Sequence, residues 1–537
     1  MRFWNCRWAA FVLIVLAAFS QATPANAESP GTEGRFVPGR VIVKPKPHTA
    51  AANMVSSLGS QEVQLAQEIP QLGYAVLSVP EGKELEWVQR LAGNPFIDKV
   101  QPEYTYSVFK EPRDYFYTRM NGLGTYYYQW NLRDVNAPAA WDISTGSPNF
   151  VIAILDTGVD GRHGDLKGKV LSSIDYIGED NPFDGLGYHG THVAGIAAAR
   201  TNNTDDVMFG GVAGMSWDAT LMDVKIANHF GKAPDASASL GVVYAADNGA
   251  KIINLSFGGE DRSDILQDAI NYAYNKGALV VAASGNCADP ETYRDNDCKT
   301  VNPPIYPAAD DNVLAVGAIN QKRERAVFSE HGGYVAVVAP GEEIISLVPN
   351  QMFATTKGTS QAAPHVSALA NLIWAVNPNL TNAQVTNIIT STVRDLGSPG
   401  RDDQYGFGLM DAGAALAKAQ MAMSPSIIGF FAAVTDTRTM TGTLRVSSLV
   451  NPYNWSASVS SSATWLSVDP PSGVAPANLN ISINKGSMPA GRYDASITVQ
   501  VDGVTGASYT VPVHLLVSDR VYWTFAPTLT RSSAAGW

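Results

Sequence analysis

The stretch GTSQAAPHVSA (358–368) places Ser360 between a small-residue turn and an apolar run. Two roles fit such a serine. It can cap a helix, because a serine hydroxyl accepts a hydrogen bond from a backbone N–H of the first turn. It can also be a nucleophile, which needs a base, an acid that orients the base, and an oxyanion hole. Three other stretches offer these groups. Asp156 ends the run FVIAILD (150–156), and open α/β sheets build their sites at the carboxyl ends of central strands. A plain turn aspartate is the alternative. HGTHVAGIAAA (189–199) reads as a helix of small residues opened by His189, which can project into a cleft. His192, one turn further in, is expected to be packed or hydrogen-bonded within the domain. AASGN (282–286) ends a strand with Asn286. Its amide can donate to a developing oxyanion, unless it is only a turn residue. The Ser360 N–H, at a helix N-terminus, would be the second donor.

The elements that must position these groups follow from the apolar pattern. FVIAILD (150–156), LMDVKIA (221–227), KIINLSF (251–257), ALVVAAS (278–284) and NVLAVGAI (312–319) are continuous apolar runs. Such runs are expected where both faces of a parallel sheet are covered. Helical patterns lie between them, for example 262–276 with Ile265, Leu266, Ala269, Ile270 and Ala273 on one face. Residues 111–423 therefore read as a doubly wound α/β domain with a mostly parallel sheet.

Two further units flank it. In residues 28–110, strands at 40–46, 74–80 and 98–108 alternate with helices at 49–59 and 83–93, with room for one more strand near 61–69. That order suggests a small ferredoxin-like α+β sandwich. Residues 424–520 are rich in serine, threonine, asparagine and valine. Strands such as LNISIN (479–484), SITVQV (496–501) and YTVPVHLLV (509–517) alternate apolar and polar residues. In the last, Tyr509, Val511, Val513, Leu515 and Val517 share one face, which indicates a β-sandwich. Residues 521–537 form a tail. The length of 537 residues agrees with several domains.

Arg2 and Arg7, an apolar run from Trp8 to Phe19 and Ala25-Asn26-Ala27 make a secretory signal peptide, with cleavage expected after Ala27. The run is too short to span a bilayer, and no later segment is a better anchor. The chain is therefore expected to be exported and not membrane-bound. A net charge of −12 argues against nucleic acid or an anionic membrane as partner. Of three cysteines, Cys6 leaves with the signal peptide. Export and count point to a Cys287–Cys298 disulfide, against two separate thiols.

The blocks ILDTGVDGRHGDL, HGTHVAG, LSFGG, AASGN and GTSQAAPHVSA resemble the signature blocks of the subtilisin-like serine peptidases, especially the thermitase and fervidolysin branch. The similarity runs over roughly 111–420 and takes in YAADNGAKIINLSFGG (244–259) and YGFGLMDAGAAL (405–416). It implies Asp156, His189 and Ser360 as a catalytic triad, in the chain order that marks this family. It further implies Asn286 as an oxyanion donor and His192 as a second, non-catalytic histidine. Gln361 departs from the family, which usually has methionine there; the position carries no essential role.

The resemblance implies more. LSFGG would pair with the substrate backbone, making Ser256, Phe257 and Gly258 candidate substrate contacts, against a plain buried strand end. Residues 28–110 resemble the family's propeptides, which template folding and occupy the cleft until cut. Structural calcium is implied at Asp165, with Asp114, Asn203 and Asp206 as further candidate ligands, against solvated surface acids. No catalytic cofactor is implied. WSASV and WLSVDPPSG in the C-terminal unit resemble BACON-type Ig-like domains, which suggests binding or spacing.

The expected activity is a secreted, monomeric serine endopeptidase acting on proteins or peptides through an acyl-enzyme. The uncharged SFGG and AASG walls favour apolar or aromatic side chains before the cut. Asp289 and Asp310 keep a basic preference open. Two other readings compete: a binding protein on a catalytically silent peptidase fold, and an esterase. An esterase would show a G-x-S-x-G elbow, which GTSQA is not.

Overall fold

The computed structural model describes residues 36–47, 62–81, 83–104, 110–178, 187–203, 211–291, 293–296 and 298–519. The signal peptide, the helix expected at 49–59, Asp206 and the C-terminal tail lie outside them.

The N-terminal unit contains β1 (Phe36–Pro45), β2 (Gln64–Ile69), β3 (Tyr74–Ser78) and β4 (Ile97–Tyr104). They form an antiparallel sheet in the order β2-β3-β1-β4, as a ferredoxin-like unit requires, and β2 is the additional strand expected near 61–69. Val41 and Val43 point inward two residues apart. Trp87 and Leu91, one turn apart on helix Glu84–Ala92, close the core over them.

The central α/β unit is built on β5 (Ile152–Asp156), β6 (Val170–Asp175), β7 (Leu221–Lys225), β8 (Ile252–Leu255), β9 (Leu279–Ala283), β10 (Val313–Ile319) and β11 (Val337–Pro340). All seven are parallel, in the order β11-β10-β9-β8-β5-β7-β6. Every residue of β5, β7, β8 and β9 is buried. The two faces of β5 serve two cores: Ile152 and Ile154 pack on one side, Ala153 and Leu155 on the other. The chain leaves β5 toward β7 and β6, then returns to β8 on the opposite side. The carboxyl end of β5 is therefore a topological switch point, where such sheets form clefts.

Two local expectations need correction. Helix Asp264–Asn275 buries Leu266, Ala269, Ile270 and Ala273, but Ile265 is 55% exposed. The buried four are spaced 0, 3, 4 and 7, one complete stripe. Ile265 precedes it by about 100° of rotation, as 3.6 residues per turn dictates. The sequence reading also missed both edge strands: β6, whose residues alternate between half-buried and exposed, and β11, a buried run of only four residues.

The C-terminal strands form a four-stranded and a five-stranded sheet around Leu444, Trp455, Leu479, Ile481, Val499, Val513 and Leu515. The first of these strands begins at Met421, directly after helix Ala412–Ala419. Leu449 N–H donates to Gln420 O at 2.9 Å and ties this β unit to the end of that helix.

Candidate active site

Asp156 closes β5 at the switch point and is buried. Its Oδ1 accepts from the Thr157 N–H at 2.7 Å and the Thr157 hydroxyl at 3.2 Å. His189 Nδ1 lies 2.9 Å from both carboxylate oxygens. The approach depends on two glycines. Gly187 caps helix Tyr188–Ala198 with φ 53°, and a Cβ there would lie 1.9 Å from Gly158 O. A Cβ at Gly190 would lie 2.3 Å from the same oxygen and 3.0 Å from Asp156 Cβ. Any larger residue would push the histidine helix off the aspartate.

The His189 side chain is 38% exposed. Burial disfavours its charged form, but the charge of Asp156 and its hydrogen bond outweigh this and raise the pKa above the ordinary 6.5. His192 behaves in the opposite way. It is buried, its Nε2 sits 3.1 Å from Ala354 O, and burial pushes it down to about 3. It is packed inside the domain, as expected.

Ser360 lies in the first turn of helix Thr359–Val376. The cap position belongs to Gly358, at φ 153°, not to the serine. The Ser360 hydroxyl donates to Ser256 O at 3.0 Å, and the Ser256 hydroxyl donates back to Ser360 O at 3.0 Å. The second bond has a sequence cause. Ser360 O would normally accept from the N–H four residues on, but that residue is Pro364, which has none. Ser256 supplies the missing donor.

Beneath it, Asn254 Nδ2 donates to Ser256 Oγ at 2.9 Å, and Ser367 Oγ donates to Asn254 Oδ1 at 2.9 Å. The sequence reading passed over Asn254. An amide inside the apolar run KIINLSF was the signal available. The Ser360 helix packs against the His189 helix.

Asn286 follows β9. Its Oδ1 accepts from the Thr359 N–H at 2.8 Å and the Thr359 hydroxyl at 3.0 Å. With Oδ1 fixed as acceptor, the amide nitrogen is the group with hydrogens to give an oxyanion. Thr359 is a second residue that sequence reasoning missed. Next to Asn286, Cys287 is disulfide-bonded to Cys298.

A cleft of about 340 Å³ is lined by Phe257, Gly258, Gly285, Asn286, Ile305 and Ser360, together with the disulfide. Ile305 forms its floor: a Cβ on Gly258 or on Gly285 would come within 2.5 Å of that side chain. Phe257 and Gly258 thus face the cleft, whereas Ser256 is buried and turned toward Ser360. Neither acid expected to favour a basic substrate lies in the lining. Asp310 is buried against Arg262 Nε at 2.9 Å, and Asp289 accepts from the Glu291 N–H at 2.9 Å. The acids at the cleft are Glu260 and Asp261. Glu260 accepts from the Lys299 N–H, and Asp261 pairs with Lys299 Nζ at 2.8 Å.

A separate polar cluster gathers Asp114, Asp165 and Asn203. Both carboxyls are fully buried. Asp165 accepts from Asn203 Nδ2 at 2.9 Å and the Val212 N–H at 3.1 Å; Asp114 accepts from the Asn202 N–H at 3.0 Å. Burial, with the charge of Asp114 adding to it, pushes Asp165 up to about 7. The buried Asn203 Oδ1 has no partner. Two buried acids beside an orphaned amide oxygen are a donor set of hard oxygens, which fits calcium.

Comparison with known proteins assigns two parts of the chain to families. Residues 147–408 match the Subtilase family (Peptidase_S8), and residues 22–103 match the Fervidolysin N-terminal prodomain. The chain is 35% identical to the thermophilic serine proteinase of Bacillus sp. (strain AK1) over 378 residues, covering 70% of this chain and 86% of that one. It is 41% identical to thermitase of Thermoactinomyces vulgaris over 255 residues, 47% of this chain and 85% of thermitase. Subtilisin BL of Lederbergia lenta is 37% identical over 287 residues, 53% of this chain and 97% of that one.

Proposed function

The chain belongs to the subtilase family of serine endopeptidases, and on that premise we propose that Ser360, His189 and Asp156 carry its reaction, with Asn286 as oxyanion donor. The observation that supports this reading most is the His189–Asp156 contact at 2.9 Å, placed at the switch point beside the Ser360 helix.

His189 takes the proton of Ser360 as its Oγ attacks a peptide carbonyl. Asp156 fixes the imidazole tautomer and stabilises the imidazolium. The Asn286 amide and the Ser360 N–H hold the tetrahedral oxyanion. His189 then gives its proton to the leaving amine, and water releases the acyl-enzyme. In the structure Ser360 Oγ donates to Ser256 O rather than to His189. Catalytic hydrogen bonds tighten only when substrate arrives.

The finer parts of the reading rest on the same residues. Phe257 and Gly258 border the substrate strand, while Ser256, buried behind them, supports Ser360. Phe257, Ile305 and the glycine walls form the apolar part of a cleft whose rim also carries Lys232, Glu260, Asp261 and Lys299, and that apolar part takes apolar or aromatic side chains before the cut. Residues 28–110 act as an intramolecular inhibitor of the domain at 111–423 and are self-cleaved between 106 and 114. The β-sandwich at 424–520 spaces or binds. The protein is secreted through its signal peptide and works as a monomer. Asp114, Asp165 and Asn203 hold a structural calcium; Asp206, the remaining candidate, lies outside the described residues.

The test is hydrolysis. Ser360→Ala should abolish casein cleavage without lowering the melting temperature. Asn286→Ala should reduce turnover by about 10²–10³, the magnitude found when subtilisin itself loses such a donor. An active Ser360→Ala protein sinks the assignment. A peptide library cut mainly after arginine or lysine sinks the apolar preference.

A further inference from the structure

Glu330 is 1% exposed and grips the loop that carries Asn286. Its Oε1 accepts from the Cys287 N–H at 2.7 Å, the peptide group immediately after Asn286. Its own N–H donates to Gly285 O at 3.2 Å, and its carbonyl accepts from the Ser284 hydroxyl at 3.3 Å. One residue thus holds the chain on both sides of the oxyanion amide. The other carboxyl oxygen, Oε2, is buried without a partner. A Cβ at Gly285 would meet it at 2.5 Å, so the carboxyl is pressed directly beneath the loop.

We propose that Glu330 is a positioning residue of the oxyanion hole, fixing the Asn286 amide through the Cys287 and Gly285 peptides. The inference rests on the serine-peptidase reading above.

The carboxyl works in its neutral form. Burial pushes it up to about 8, against the lowering effect of the Cys287 N–H and of Arg325; Glu260 raises it further. The remaining titratable neighbours do not supply a counter-charge. Burial raises the Tyr334 phenol, which stays protonated, and burial with the Arg325 charge lowers His331. An ionised Glu330 would put a negative charge behind the place where the tetrahedral oxyanion forms and so oppose it.

The test compares wild type, Glu330→Gln and Glu330→Ala on a chromogenic peptide, together with affinity for a peptidyl boronate, which mimics the tetrahedral intermediate. Gln keeps the acceptor for Cys287 and cannot ionise. Ala should lose about tenfold or more in kcat with KM nearly unchanged, as for a partly displaced oxyanion donor. Boronate affinity should fall in parallel. Gln should keep kcat at pH 7 and hold it above pH 8, where wild type declines. Wild-type kcat in the Ala variant overturns the proposal. So does an alkaline decline in Gln identical to wild type, a readout that decides even if Ala does not fold. A wild type inert to both substrate and fluorophosphonate would instead overturn the peptidase reading itself, a distinct result.

Discussion

Asn254 is an amide in the middle of an apolar strand, and every other residue of β8 is aliphatic. Its partners, Ser256 and Ser367, are 2 and 113 residues away. The sequence carries the anomaly but not the partners, because a hydrogen bond across the core leaves no periodic trace. Asp156 ends a strand, Asn286 follows one, and His189 and Ser360 open helices, which made them candidates; the roles themselves are implied only by the resemblance to the subtilisin-like peptidases. Glu330 and Thr359 were not candidates, since nothing local separates them from ordinary loop residues. The raised pKa of His189 gives a prediction at this scale. The base must be neutral, so kcat/KM should rise through a pKa above 6.5. The charged pair with Asp156 stabilises the fold below 6.5, and that stabilisation is lost as pH rises through the raised value. Asp156→Asn should move the acidic limb down and lower kcat by about 10⁴, because the imidazole loses its tautomer control. A wild-type limb centred below 6.5, or one that the substitution leaves in place, would contradict the assignment.

Among the elements, the five interior strands were the most legible, since burial on both faces writes a continuous apolar run. The edge strands β6 and β11 were the least, one because it alternates and the other because it spans only four residues. Helix Thr359–Val376 shows how a local rule and a remote partner combine. Pro364 removes one N–H, and Ser256 from another segment replaces it. The Asp114, Asp165 and Asn203 cluster is likewise made by three segments remote in sequence, and its ligand role is implied only by resemblance until burial is known. Burying two like charges without a cation is costly. Calcium that binds only the folded state at a hundredfold excess over its Kd would stabilise by about 2.7 kcal/mol. EDTA should therefore lower the melting temperature and hasten autolysis, and added Ca²⁺ should restore both. Identical melting curves with and without chelator, and no metal by elemental analysis, would remove the site.

At the scale of the molecule, composition divides the chain where the structure changes character: the small α+β unit, the parallel sheet and the sandwich. The last boundary is blurred because Met421 packs into the sandwich core directly after helix Ala412–Ala419, so no linker composition marks the change. Among the described residues, no helix is long and apolar enough to cross a membrane. The proposed reading, a secreted precursor processed by its own active site, makes one measurement decisive: the intact mass of the secreted protein after treatment with a fluorophosphonate, beside its Ser360→Ala variant. The account predicts a wild-type chain that starts within 106–114 and carries one adduct, mapped by peptide digestion to Ser360. The variant should keep its propeptide and take no adduct. An unlabelled wild-type Ser360, or a variant that matures and labels like wild type, would contradict the claim that Ser360 is the nucleophile.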